Sequence, residues 1–133
     1  MKRHLLPLVL LSGLLTAAAC SSNDNHGSGL GTFSLTWQLV VGSSTISCAN
    51  ADAVTLQVTS HPVGSGTDII DAFDCSDMAG TTDPLTEGIY DVSVDLLDSN
   101  DDPLNNETQD LGRHTIIQDT DLDLGHVVFD FTG

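Results

Sequence analysis

Apolar and polar residues alternate in several segments of the chain, and a period of two residues is typical of a half-buried β-strand. The clearest segment is 32–41, and the pattern returns in 53–60 and 89–97. If each segment is a strand, one of its faces packs into a core. The residues directed inward are then Phe33, Leu35, Trp37, Leu39, Val41, Val54, Leu56, Val58, Tyr90, Val92, Val94 and Leu96.

Four weaker segments complete the pattern, at 68–75, 108–111, 114–118 and 127–131. Clusters of Gly, Ser, Pro, Asp and Asn separate the segments, and no window keeps the 3.6-residue period of an amphipathic helix. We therefore predict an all-β domain over residues 32–133. It is expected to be an antiparallel β-sandwich of about seven strands, of immunoglobulin-like or transthyretin-like type.

Residues 1–19 differ from the rest of the chain. Two basic residues come first, an apolar stretch follows at 5–15, and three alanines directly precede Cys20. These parts match a secretory signal peptide, and the apolar stretch is too short for a membrane-spanning helix. Cleavage after the alanines leaves Cys20 either as an ordinary free thiol or as a modified first residue.

The alanines followed by Cys20 resemble the lipobox of bacterial lipoproteins, although Ala17 stands where the usual box has Leu. The resemblance implies that Cys20 carries acyl chains that anchor the protein to a membrane. In a cell with two membranes, Ser21 in place of Asp implies sorting to the outer membrane. Residues 20–31 are then the lipidated cysteine and a flexible tether rich in Gly, Ser and Asn. We predict a lipid-anchored protein of the cell envelope.

Charge narrows the possible partners. The 133 residues include 19 acidic and three basic side chains, and the net charge is −16. Two of the basic residues lie in the signal peptide, so the formal charge from Cys20 onward is −18, with Arg113 as the one basic residue. Nucleic-acid binding is excluded, because it needs positive charge. The acidity fits adaptation to a salty environment, or a surface for basic or divalent-cation-bearing partners.

Cys48 and Cys75 are the remaining cysteines. Two thiols in an exported domain predict a disulfide. The alternatives are two buried free thiols or a zinc site. A zinc site would need four ligands, and no histidine has finger spacing from either cysteine.

Residues 85–94 have the form L-x-x-G-x-Y-x-V-x-V. This motif resembles the start of a strand in transthyretin-like, Cna-B-like and carboxypeptidase-regulatory-like sandwiches. The resemblance implies that Gly88 makes the turn and that Tyr90 packs inward. A related tyrosine in immunoglobulin-like sandwiches bonds upstream backbone through its hydroxyl. Such domains are mostly non-catalytic. The Lys–Asn isopeptide bond of Cna-B-like stalks is impossible here, because no lysine follows Lys2.

Signals for catalysis are weak. Three histidines of the domain could form triads with serines on paper, namely His61, His114 and His126. However, the sequence has neither a G-x-S-x-G elbow nor an H-E-x-x-H motif. We therefore predict no enzymatic activity. Trp37 is expected in the core, and Arg113 is expected to pair at the surface.

A calcium site is the main alternative chemistry. Asp98, Asn100 and Asp102 have the D-x-N-x-D spacing of a Ca²⁺ loop, but Pro103 replaces the glycine of an EF-hand. The other interpretation is a turn stabilised by Asp and Asn side chains. Asp119, Asp121 and Asp123 similarly indicate either a solvated face or a metal site.

The predicted function is non-catalytic binding, scaffolding or surface display, with no resident cofactor. The alternatives are a module that binds a divalent metal such as Ca²⁺, and a minor hydrolase or an accessory domain of one. The ligand and the protein partner stay open.

Overall fold

The computed structural model describes residues 29–104 and 108–132, and the strands in these residues build two facing sheets. The predicted all-β sandwich is confirmed. Nine strands are present in the described residues, because β2, β5 and β6 are too short to give a period-two signal. The strands are β1 (Leu30–Val41), β2 (Ser44–Ile46), β3 (Thr55–Pro62), β4 (Ile69–Asp74), β5 (Ala79–Thr81), β6 (Leu85–Thr86), β7 (Gly88–Leu97), β8 (Gln109–Ile116) and β9 (Asp121–Asp130).

Strand β1 is the centre of the five-stranded sheet. It pairs with β9 along one edge, and that pairing is parallel, which an antiparallel sandwich did not anticipate. Three short strands share its other edge in antiparallel register: β6 at Leu30, β5 at Ser34 and β2 at Leu39. The strand begins at Leu30, two residues inside the segment assigned to the tether. The reason is that Leu30 and Gly31 pair with β6.

The second sheet has four antiparallel strands in the order β4-β3-β7-β8. Along the chain, pairs of strands alternate between the sheets: β1 and β2 lie in the first, β3 and β4 in the second, β5 and β6 in the first, and β7 and β8 in the second. The last strand, β9, returns to the first sheet. The chain therefore crosses repeatedly from one sheet to the other.

The inward positions predicted for β7 and all but the last of those predicted for β1 form the core, which also takes side chains from β3, β8 and β9. Two predicted positions are wrong: Val41 and Val54 are exposed. Val41 lies at a hairpin turn and Val54 precedes the first residue of β3, so neither faces the opposite sheet. Val40 and Ser60 are buried instead.

Strands β8 and β9 each contain a β-bulge with the same sequence, Asp-Leu-Gly. The Asp110 carboxylate accepts the N–H of Gly112, and the Asp123 carboxylate accepts the N–H of Gly125, both at 2.8 Å. Both glycines have positive φ, 86° and 93°, as a bulge of this kind requires. Because of the bulge at Gly112, the two segments predicted at 108–111 and 114–118 form a single strand, β8.

The predicted disulfide between Cys48 and Cys75 is confirmed, with a Cα–Cα distance of 6.0 Å. Cys48 lies in the crossing from β2 to β3, and Cys75 lies in the crossing from β4 to β5. Trp37 is in the core, as predicted, and its indole N–H donates to the Cys75 carbonyl at 2.8 Å. The disulfide and this hydrogen bond hold two crossings against the central strand.

The tyrosine of the L-x-x-G-x-Y motif has the geometry that the resemblance implied. Tyr90 is buried, and its hydroxyl donates to the Thr86 carbonyl at 2.6 Å. Its ring meets Phe33 edge-on, with centroids 6.2 Å apart. Gly88 has φ 155°, a conformation that other residues rarely adopt. The motif therefore locks the start of β7 onto β6.

Replacing both disulfide cysteines (C48A/C75A) should lower the free energy of unfolding by about 3.5 kcal/mol, because the unfolded chain loses the constraint of a 27-residue loop. Urea denaturation of the folded domain measures the change. V54A, which trims an exposed valine, should change stability little and serves as the control. An equal midpoint for the double variant and the wild type would show that the crossings do not need the disulfide.

Candidate functional site

A polar network covers the outer face of the five-stranded sheet and centres on Asp121 at the start of β9. Thr32 donates its hydroxyl to Asp121 Oδ1 at 2.6 Å. Ser34 lies at 2.7 and 2.8 Å from the two carboxylate oxygens. Thr32 and Ser34 point outward because alternate residues of β1 point into the core. The carboxylate is thus held in place by two hydroxyls of the neighbouring strand.

The network continues across the sheet into a shallow cleft. The hydroxyls of Ser34 and Thr81 lie 2.9 Å apart, which links β1 to β5. The cleft has a volume of about 460 Å³, and Asp121 and Asp123 form one side of it. A second cleft of about 510 Å³ shares Asp121 and extends towards Leu30. The outer face therefore presents carboxylates beside hydroxyls, a set that attracts cationic or hydroxyl-rich groups.

The three histidines considered for catalysis lie apart from one another. His126 follows the β9 bulge and lies 2.8 Å from the Thr36 hydroxyl. His114 Nε2 lies 2.8 Å from the Leu111 carbonyl. His61 contacts the Asp68 carboxylate. Each imidazole therefore bonds a partner other than a serine.

A row of ionisable side chains crosses the outer face of the four-stranded sheet. His61, Asp91 and Arg113 lie side by side on β3, β7 and β8. Arg113 donates to both oxygens of Asp91, at 3.0 and 3.3 Å. The hydrogen bond from Arg113, followed by its positive charge, lowers the pKa of Asp91 below 3.8. Arg113 thus pairs at the surface, as expected.

The segment predicted as a turn or a calcium loop forms a turn in which Asp98 binds its own backbone. Asp98 Oδ1 accepts the N–H of Asn100 at 2.8 Å and the N–H of Asp102 at 3.0 Å. Across residues 29–104 and 108–132, no three His, Cys, Asp or Glu side chains are grouped so as to hold a metal ion. Calcium binding stays a prediction. Cys20 lies outside the described residues, which contain no helix long and apolar enough to cross a membrane.

Three polar side chains are buried in the described residues, namely Ser60, Asp71 and Thr82, and the sequence pattern missed all of them. Asp71 on β4 and Ser60 on β3 face the core, 7% and 0% exposed. Asp71 Oδ1 accepts the Asp83 N–H at 3.0 Å, but Asp71 Oδ2 and Ser60 Oγ have no hydrogen-bond partner. Burial raises the pKa of Asp71 above 3.8; the Asp83 N–H opposes this, and the Asp83 charge adds to it. A buried polar group without a hydrogen-bond partner costs free energy, so the ionised Asp71 side chain lowers the stability of the folded state.

Comparison with known proteins shows little. No family model matches the chain. No curated protein matches it either. Among solved structures, the chain is similar to a leucine-rich repeat protein from Bacteroides thetaiotaomicron, with 15% identity and a TM-score of 0.47. The match covers 75% of this chain and 12% of the other.

Asp71→Asn should raise stability at pH 7, because it removes a charge that burial disfavours. The folded protein holds its proton more tightly at Asp71 than the unfolded chain does. The wild type therefore gains stability as the pH falls through the raised pKa towards 3.8, and the advantage of the variant shrinks.

Urea denaturation at several pH values measures this difference. Asp74→Asn is the control, because Asp74 is exposed on the same strand. A constant difference between Asp71→Asn and the wild type from pH 7 to pH 4 would contradict the raised pKa.

Proposed function

We propose that this protein is a lipid-anchored module of the cell envelope whose role is non-catalytic binding. The observation that carries the proposal is the N-terminal sequence: a signal peptide at 1–19 that ends directly at Cys20, followed by a polar tether. Its resemblance to the lipobox supports lipidation. An ordinary export signal alone would not need a cysteine at the cleavage point.

The described part of the molecule is compatible with such an anchor. Cys20 lies ten residues before Leu30, where β1 begins. For a linker of this Gly, Ser and Asn-rich composition, ten residues correspond to an end-to-end distance of about 18 Å. The sandwich would therefore stand close to the membrane, with the beginning of β1 nearest to it. Several acyl chains at Cys20 would make the attachment lasting, since one chain binds only reversibly.

The cleft around Asp121 is the proposed binding surface. It presents the carboxylates of Asp121 and Asp123 in a domain that carries −18 from Cys20 onward. A partner with basic side chains fits this chemistry better than an anionic one, because opposite potentials favour encounter. The turn at Asp98 supports a metal-binding role less well, since the carboxylate already accepts two backbone N–H groups.

Replacing the lipidation residue (C20S) should release the protein from membranes, because the acyl chains would have no attachment point. Membrane fractionation and the mass of the purified mature protein provide the measurement. The wild type should sediment with membranes and carry the mass of its acyl chains. An unmodified thiol at Cys20 in the wild type, with the protein found in the soluble fraction, would contradict the anchor.

The charged cleft can be tested with an oligolysine peptide as the probe. D121N/D123N should weaken its binding more than D74N/D77N, which removes the same charge from exposed positions elsewhere. Titration at low and at physiological ionic strength measures both effects, and salt should weaken binding to the wild type. Equal losses in the two double variants would show that overall charge, not the cleft, attracts the probe.

A further inference from the structure

Three exposed aliphatic side chains lie together at the end of the sandwich where the tether joins β1. Val63, Ile89 and Ile117 are 37%, 49% and 57% exposed, and we call them the tether-end patch. The Val63 N–H donates to the Ile89 carbonyl at 2.9 Å. Ile89 pairs with Thr115, two residues before Ile117. The three residues thus belong to adjacent segments at one end of the four-stranded sheet.

The same end receives the chain from the tether. Gly31, the second residue of β1, packs so closely against Ile117 that an added Cβ would lie 2.5 Å from the Ile117 carbonyl oxygen. The Asp119 N–H donates to the Leu30 carbonyl at 2.8 Å. The tether-end patch is therefore beside the point at which an anchored sandwich would approach a membrane.

The tether itself does not suit this patch. Residues 21–28 are Ser, Asn, Asp, His and Gly, without an apolar side chain that could cover the three aliphatic residues. Apolar surface is stabilised by removal from water, by roughly 25 cal/mol per Å². The patch is therefore stabilised only if an apolar group from outside the tether covers it.

One carboxylate near the patch, that of Asp91, is compensated by an arginine. The row that contains the one arginine of the domain lies two residues further along β7 and β3 from Ile89 and Val63. Arg113 neutralises Asp91, and His61 contacts Asp68. A surface that contacts the patch would therefore meet this ion pair beside the aliphatic side chains.

We propose that the tether-end patch rests against the lipid surface to which Cys20 attaches the protein. This inference rests on the proposed lipid anchor and adds an orientation to it. A tether raises the effective concentration of the patch at the membrane to the millimolar range, so a weak contact is enough.

The test uses the lipidated full-length mature protein in phosphatidylcholine vesicles that contain a nitroxide-labelled lipid. Methyl NMR signals of Ile89 and Ile117 should broaden several-fold more than that of Val54. Val54 is 48% exposed, like Ile89, but bonds the Leu97 end of β7, at the opposite end of the sheet. Flotation of the protein with the vesicles reports the anchor separately.

Each outcome decides the proposal. A protein that floats with the vesicles yet broadens equally at all three methyls overturns the orientation and leaves the anchor intact. A protein that does not float overturns the anchor and the orientation with it. Shifts at Ile89 and Ile117 that grow with protein density, without broadening by the labelled lipid, assign the patch to a second copy and also overturn the proposal. The I89S/I117S variant should float normally but lose the preferred orientation. In the wild type, vesicles should slow the hydrogen exchange of backbone N–H groups near Gly88, whereas in the variant the exchange rate should be the same with and without vesicles.

Discussion

The fold depends on how the chain is held each time it crosses between the two sheets. The disulfide joins Cys48 in one crossing to Cys75 in another, and Cys75 also accepts the indole N–H of Trp37. These contacts tie both crossings to β1, the strand at the centre of the five-stranded sheet. A domain of about 100 residues has a modest core and a small total stability. A covalent restraint at this point therefore contributes a large share of that stability.

This arrangement also bears on attachment by the N-terminus. A pull on the tether would be transmitted to Leu30, the first residue of a twelve-residue strand. Because β1 pairs with β9 on one side and with three short strands on the other, all of these pairings would have to slide together before the strand came out. Attachment through the central strand would thus suit a domain that has to stay folded under the proposed anchor.

Local sequence patterns predict part of this structure but not all of it. Alternation identified β1 and β7 because their inner faces carry large side chains without interruption, as in Tyr90, Val92 and Val94. It failed where a bulge shifts the phase, at Gly112 and Gly125, although the repeated Asp-Leu-Gly was a usable signal. The carboxylate network around Asp121 depends on the parallel pairing of β1 and β9, a contact between distant parts of the chain that no local pattern encodes.

The two outer faces of the sandwich differ in how their carboxylates are paired. On the five-stranded sheet, the side chains that donate to Asp121 are uncharged hydroxyls, which leave its negative charge unneutralised. On the four-stranded sheet, Asp91 is paired with Arg113, and aliphatic side chains lie beside the pair. The one arginine of the acidic domain lies next to its apolar patch, where it would reduce repulsion in the proposed contact with a membrane surface. It leaves the acidity on the face where it can attract a basic partner.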